Sequence, residues 1–288
     1  MFNNGEELLK RCKEKNKKIY EIVLEKENQL TEKSIYDIRS AMKENLKVML
    51  DSSSYALDKK VTSVSGLTGG DAQKVEDYRR KNNTICGDLI NMAMAKALST
   101  SEVNASMGKI VAAPTAGASG ILPSAIITTA TKFNLGEDEM INGLLTASGI
   151  GEIVAKNATV SGALGGCQAE CGVASAMASA AVAEMLGGTP EVCLTAASIC
   201  LINIMGLICD PIAGLVECPC SFRNASGVVN ALISADLALA GIKSLIPFDE
   251  VVEAMYKVGK SLPESLRETA LGGLAGTKTG LKLKKKVL

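Results

Sequence analysis

Thr189-Pro-Glu-Val-Cys-Leu-Thr-Ala-Ala-Ser-Ile-Cys-Leu-Ile-Asn-Ile-Met-Gly-Leu-Ile-Cys209 is the stretch on which the fold reading turns. Thr189 is placed to cap a helix whose first position is Pro190. From Val192 to Ile208 nearly every residue is apolar, which describes a helix buried on all sides. A membrane span needs about 20 such residues, and this run is shorter and carries Thr195, Ser198 and Asn203. Its neighbour, Val228 to Ile246, contains Asp236 and Lys243, and the flanks lack the charge asymmetry of a spanning segment. The pair therefore reads as the buried centre of a helical bundle with no membrane partner. Asp210-Pro211 disfavours further helix, so the helix is predicted to end near Cys209.

Working outward, Ile85 to Leu98, Glu137 to Asn157, the alanine-rich Gln168 to Leu186 and Phe248 to Val258 read as further helices. One more is expected to open near Leu122, with Pro123 in its first turn. Ser261-Leu-Pro-Glu264 fits a capping box. Residues 5–59 read as two charged amphipathic helices, with Leu8, Leu9, Cys12, Ile19, Ile22 and Val23 at helical spacing. No alternation supports a strand, and no internal repeat occurs. The expected fold is all-α: a multi-helix bundle with buried apolar central helices and polar outer ones. Residues 1–288 are read as a single domain, with 1–60 a charged helical N-terminal part and 281–288 a solvated basic tail.

The chain has 31 basic and 31 acidic residues, which excludes the basic excess of a nucleic-acid binder. Asn3, Asn4 and charged residues follow close behind Met1, unlike a signal peptide, so a cytoplasmic location is expected. Nine cysteines in that compartment read as thiols or ligands rather than disulfides. The chain contains no histidine. Ser-His-Asp and Cys-His arrangements are thereby excluded within it, and a zinc site would need thiolates, alone or with carboxylates.

Three of the nine cysteines lie in Cys209-Asp-Pro-Ile-Ala-Gly-Leu-Val-Glu-Cys-Pro-Cys220, a turn-rich segment. Thiolates there suit a soft metal or an iron–sulfur cluster. Two more, Cys167 and Cys171, share one helical face in Gly165-Gly-Cys-Gln-Ala-Glu-Cys-Gly172. Spacing does not say which of the five bind metal, and free cysteines are also common small buried hydrophobes. Two small-residue loops are candidates for anion binding. Ser65, Thr68, Gly69 and Gly70 lie in the first, which serves equally as a flexible connector. Thr115, Gly117 and Ser119 lie in the second, which feeds a helix N-terminus able to bind a carboxylate.

Five motifs occur in order: Ser65-Gly-Leu-Thr-Gly-Gly-Asp71, Ala113-Pro-Thr-Ala-Gly-Ala-Ser-Gly-Ile121, Gly166-Cys-Gln-Ala-Glu-Cys-Gly172, Cys209 to Cys220 with Arg223-Asn-Ala225, and Leu266-Arg-Glu-Thr-Ala-Leu-Gly-Gly-Leu274. Together they closely resemble the α subunit of the iron–sulfur-dependent bacterial L-serine dehydratases, over nearly the whole chain. The resemblance implies an L-serine ammonia-lyase that forms pyruvate and ammonia without pyridoxal phosphate (no PLP). It also implies a [4Fe-4S] cluster held by the cysteines matching the family's ligands: Cys167, Cys209 and Cys220. Cys171 and Cys218 match positions that often lack a thiol in the family and are read as non-ligands.

Single-chain members are similar to this chain joined to an N-terminal domain, so a separate β subunit is implied. The family's Ser-Ser-His-Thr motif is absent here, and any catalytic imidazole is expected from that partner. Some members also place a C-terminal cysteine on the fourth iron. This chain ends in Lys-Lys-Lys-Val-Leu, so an iron open to water or substrate is expected. Lys109 and Arg267 are candidates for holding the substrate carboxylate or serving the proton step. The competing readings are a related lyase acting on another β-substituted amino acid such as cysteine, and a cluster-carrying module without catalysis.

Overall fold

The computed structural model describes residues 1–288 and contains helices with no strand. In chain order the helices are α1 (Gly5–Lys15), α2 (Ile19–Thr31), α3 (Ile35–Ser54), α4 (Asp71–Arg80), α5 (Gly87–Ala105), α6 (Ile121–Phe133) and α7 (Glu137–Asn157). They continue as α8 (Gly162–Gly165), α9 (Val173–Met185), α10 (Pro190–Ile204), α11 (Cys220–Leu239), α12 (Phe248–Ser261) and α13 (Lys278–Val287). The all-α reading is right. None of the helices is long and apolar enough to cross a membrane.

Helix α9 is the axis of the molecule. Every residue from Val173 to Glu184 is buried, and α6, α7, α10 and α11 pack around it. Its alanines and serines permit that close approach on all sides, and Ser175 shows how its hydroxyls are satisfied. The Ser175 Oγ donates to Cys171 O at 2.7 Å and to Gly227 O at 2.9 Å across to α11. One continuous apolar core runs from Phe2 to Met255. The charged N-terminal helices contribute to it through Leu8, Cys12, Ile19, Ile22 and Val23.

Several boundaries differ from the sequence reading. Residues 5–59 form three helices rather than two, because Asn16 and Glu32 both take the left-handed conformation and end α1 and α2. Ser34 then starts α3, its hydroxyl accepting from Asp37 N at 3.1 Å. Thr189 and Pro190 do cap and open α10 as expected. That helix stops at Ile204, short of Cys209, because buried Gln168 takes over its backbone partners. The Gln168 Oε1 accepts from Gly206 N at 2.8 Å, and the Gln168 N–H donates to Leu207 O at 3.1 Å. Residues 168–172 form a widened helical turn before α9.

Helix α11 opens at Cys220, eight positions before the expected Val228, so Arg223 and Asn224 lie in its first turns. No capping box forms at Ser261–Glu264; Pro263 leads into a short helical turn over Glu264–Leu266. The basic tail is helical, with Thr277 Oγ1 accepting from Gly280 N at 3.0 Å to start α13.

Candidate active site

The short segment 205–210 carries Cys209 between α10 and the turn at 212–214. Its backbone is clipped on both sides: Cys209 N donates to Leu266 O at 2.9 Å, and Glu268 N donates to Cys209 O at 2.7 Å. Asp210 completes the brace. Its buried carboxylate accepts from Arg223 Nη2 at 2.6 Å and from Leu274 N at 2.7 Å. Gly273 has a positive φ of 57° and presses directly on that carboxylate, where no side chain fits. The segment from Leu266 to Leu274 is therefore a strap holding the first cysteine in place. Cys220 is fixed by a different device. It is the first residue of α11, reached through a cis peptide bond between Cys218 and Pro219, with Ile212 N donating to Cys218 O at 3.0 Å.

Cys167 comes from the link between α8 and α9. It follows Gly166, whose φ of 76° and ψ of 179° belong to a conformation open only to glycine. The Cys167 and Cys171 Sγ atoms lie 3.4 Å apart. The Cys209 thiol lies against Cys167 and 3.7 Å from Glu170 Oε2. Glu170, Cys209 and Glu268 each bring a ligand atom within 4.8 Å of the others, the one such convergence of acids and thiols in the chain.

The neighbouring Cys171 and Cys209 thiols donate toward the Cys167 sulfur, and with Arg223 they hold Cys167 well below the usual thiol range despite its burial. The same contacts push Cys171 and Cys209 well above it. Burial pushes Cys220 up to about 12, with the charges of Cys167 and Glu170 adding to it. Glu170 is pushed up to about 7, first by burial and then by Cys167. The site thus sets one thiol of lowered pKa among thiols of raised pKa, a pattern in which the lowered thiol is the readier nucleophile or ligand.

Beside the thiols lies the second small-residue loop. Asn224 fastens it to α11, donating to Gly117 O at 2.7 Å and to Cys220 O at 2.9 Å while accepting from Gly120 N at 2.9 Å. The one side chain thereby sets the loop and the cysteine together. Ser119 Oγ is buried without a partner, and Thr115 Oγ1 lies beside Glu170 without a hydrogen bond of normal geometry. Arg223 Nη1 and Arg267 Nε are likewise buried and unpartnered. Small residues keep this space open. A side chain at Gly162 would come 2.5 Å from Glu170 Oε2 and 3.1 Å from Cys209 Sγ, and one at Gly117 would lie 3.5 Å from Glu170 Oε1.

Of the residues singled out from sequence, Cys167, Cys209, Cys220, Thr115, Gly117 and Arg267 all fall around this space. Lys109 does not; it is exposed and makes neither an ion pair nor a hydrogen bond to the site. Ser65 and Thr68 point elsewhere, donating to Glu217 Oε2 at 2.8 and 3.1 Å. Gly69 and Gly70, both at positive φ, serve the turn between Val61 and α4. Cys218 lines a groove of about 420 Å³ with Thr68, Ile212 and Phe222. Glu170, Glu268, Asp210, Glu217 and Asn224 were not singled out as site residues. All five stand inside or beside the quoted motifs, so proximity in sequence to the cysteines was the available signal.

A profile of the serine dehydratase alpha chain family matches residues 14–275. The alpha chain of L-serine dehydratase from Peptoniphilus asaccharolyticus is 53% identical over 288 residues, covering 100% of this chain and 99% of that one. A probable L-serine dehydratase alpha chain from Bacillus subtilis is 51% identical, covering 100% of this chain and 95% of the relative. A longer L-serine dehydratase from Helicobacter pylori is 37% identical over 96% of this chain, which spans 62% of its length. The chain belongs to the serine dehydratase alpha chain family.

Proposed function

We propose that this chain is the catalytic α subunit of a PLP-independent L-serine dehydratase, which forms pyruvate and ammonia using a [4Fe-4S] cluster held by Cys167, Cys209 and Cys220. The observation that carries the reading is the placement of Cys209 against Cys167, with Cys220 within reach of the Cys167 charge, beside buried polar groups that lack partners. The donor set suits the group: Cys167 and Cys209 lie together where small residues leave room, Cys220 is near them, and Arg223 favours the thiolate form of Cys167. When bound, the cluster would supply a Lewis-acidic iron for the substrate hydroxyl, a poor leaving group otherwise.

The chain's own residues supply binding and orientation. The Thr115 to Gly120 loop is the better of the two carboxylate candidates, because Ser119 and Thr115 hydroxyls are unpartnered whereas Ser65 and Thr68 are committed to Glu217. The loop also leads into α6, whose free amides favour an anion. Arg267, beside Cys209 with Nε unpartnered, is the cation we assign to orient the carboxylate. Lys109, being exposed, is the weaker of the two. The chain holds no histidine, and an imidazole for the proton step would come from a separate β subunit, in keeping with the alpha-chain names of its relatives.

The test is iron and acid-labile sulfide on anaerobically purified protein, with the visible spectrum before and after L-serine. About four of each per chain, a serine-induced spectral shift and pyruvate formation with the β subunit are expected. Faster turnover of L-cysteine than L-serine would overturn the substrate. A colourless protein after reconstitution with the β subunit would overturn the cofactor.

A further inference from the structure

A small, partly open hole of about 10 Å³ lies between the turn at 62–70, α5 and the start of α11. That volume holds one water-sized occupant. Its walls carry oxygen donors from Thr68, Asp71, Ser101, Glu102, Glu217 and Ser221, and no lysine or arginine. Glu102 is 4% exposed. Its Oε1 accepts from Asp71 N at 2.6 Å and Ala72 N at 3.1 Å, whereas its Oε2 is buried with no partner. Ser221 is 6% exposed, and its Oγ is also buried and unpartnered. Glu217, equally buried, contributes a second carboxylate, on which the Ser65 and Thr68 hydroxyls converge. Lys74 pairs with Asp71 at 2.9 Å from an exposed position and does not line the hole.

A buried carboxylate oxygen without a compensating charge or donor is costly, and two carboxylates facing one hole multiply that cost. An all-oxygen donor set of carboxylates and hydroxyls selects a hard cation. Magnesium and calcium bind through bonds of about 2.0–2.6 Å and draw their donors tightly together. The acids here do not converge to that degree, the single tight convergence in the chain being at Glu170, Cys209 and Glu268. We propose that this hole binds one monovalent cation of potassium's size, held by Glu102, Glu217, Thr68 and Ser221. Because Glu217 and Ser221 flank Cys218 to Cys220, the ion would tie the cysteine loop and the first turn of α11 to the turn at 62–70. No cysteine lines the hole, and the site does not rest on the proposed reaction.

Thermal unfolding of the full chain at matched ionic strength tests it, in potassium, sodium, lithium and tetramethylammonium chlorides and with magnesium or calcium added. Potassium is expected to raise Tm by about 2–4 °C over tetramethylammonium, with sodium and lithium weaker. Glu102→Gln is expected to abolish that increment while melting no lower than wild type in tetramethylammonium, since it removes an uncompensated buried charge. Should Glu102→Gln fail to fold, Ser221→Ala is expected to raise the potassium concentration of half-effect several-fold, and an unchanged value overturns the site. Equal melting in all salts means a buried water only and overturns the proposal. Sodium matching potassium, or a divalent ion supplying the increment in its place, overturns the assignment of the ion.

Discussion

At the scale of single residues, four of the five cysteines of the two motifs divide by what they touch. Cys167, Cys209 and Cys220 are held by backbone and motif contacts around one space, whereas Cys218 is half-buried and faces the groove with Thr68 and Phe222. Replacing Cys209 by serine is expected to remove iron from the anaerobically purified protein, and replacing Cys218 is expected to leave it largely in place. Iron analysis of the two variants checks both, and loss of iron from Cys218→Ser would refute the ligand assignment. Asn224 offers a second test. Its amide serves Gly117 O, Cys220 O and Gly120 N at once, and truncation leaves two buried loop groups unpaired. Asn224→Ala is expected to destabilise by about 2–3 kcal/mol and, because the loop loses its tie to α11, to raise KM for serine more than it lowers kcat. Denaturant unfolding and steady-state kinetics read the two effects.

Elements place those residues, and here a glycine decides more than a helix does. Gly166 connects α8 to Cys167 in a conformation that only glycine adopts readily, and a methyl there would come 2.7 Å from Leu207 O and from Leu262 Cδ1. Gly166→Ala is expected to cost at least about 2 kcal/mol and to lower iron content, since Cys167 shifts with its neighbour; thermal melting and iron analysis together check this. Such a position explains what the sequence could reveal. Long periodic or uniformly apolar stretches announced α7, α9 and α10, because burial of their side chains is what makes them helices. Helix ends are set by partners far away in the chain. Gln168 ends α10 by taking the N–H of Gly206, and Glu184 receives the N–H of Ile19 at 2.7 Å where α2 begins. Neither pairing leaves a mark in the local sequence. The cysteines were legible for the same reason that the acids were not. Three thiols in twelve residues have few other uses, whereas Glu170 and Glu268 look like any helix or loop acid until the fold sets them against Cys209.

Across the whole molecule, Glu184 is the point where three layers meet. It lies on central α9, accepts from the first amides of α2 at Ile19 and Tyr20, and accepts from the Thr146 hydroxyl of α7. Burial raises its pKa, and the three donors and the Lys18 charge reverse this only in part. The folded state therefore holds this proton more tightly than the unfolded chain does. The linkage follows from that direction. Between the ordinary glutamate pKa of about 4.3 and the raised folded value, folding takes up a proton, so this group's contribution falls as pH rises through the window and stays low above it. Glu76 works the other way. Paired first with Arg79, its carboxylate is held below the ordinary value and supports the fold above that value, losing the contribution in acid. The wild-type pH profile mixes both signs, so the informative quantity is a difference between proteins. Glutamine at 184 keeps an oxygen for the α2 amides without the buried charge. Glu184→Gln is expected to melt lower than wild type near pH 4, where the native carboxyl is already protonated and fits its donors. The gap should close and then reverse as pH rises past the folded pKa. Melting temperatures of both proteins from pH 4 to 8 measure this, and a difference that stays constant across the range would show that Glu184 is not the titrating group at this junction.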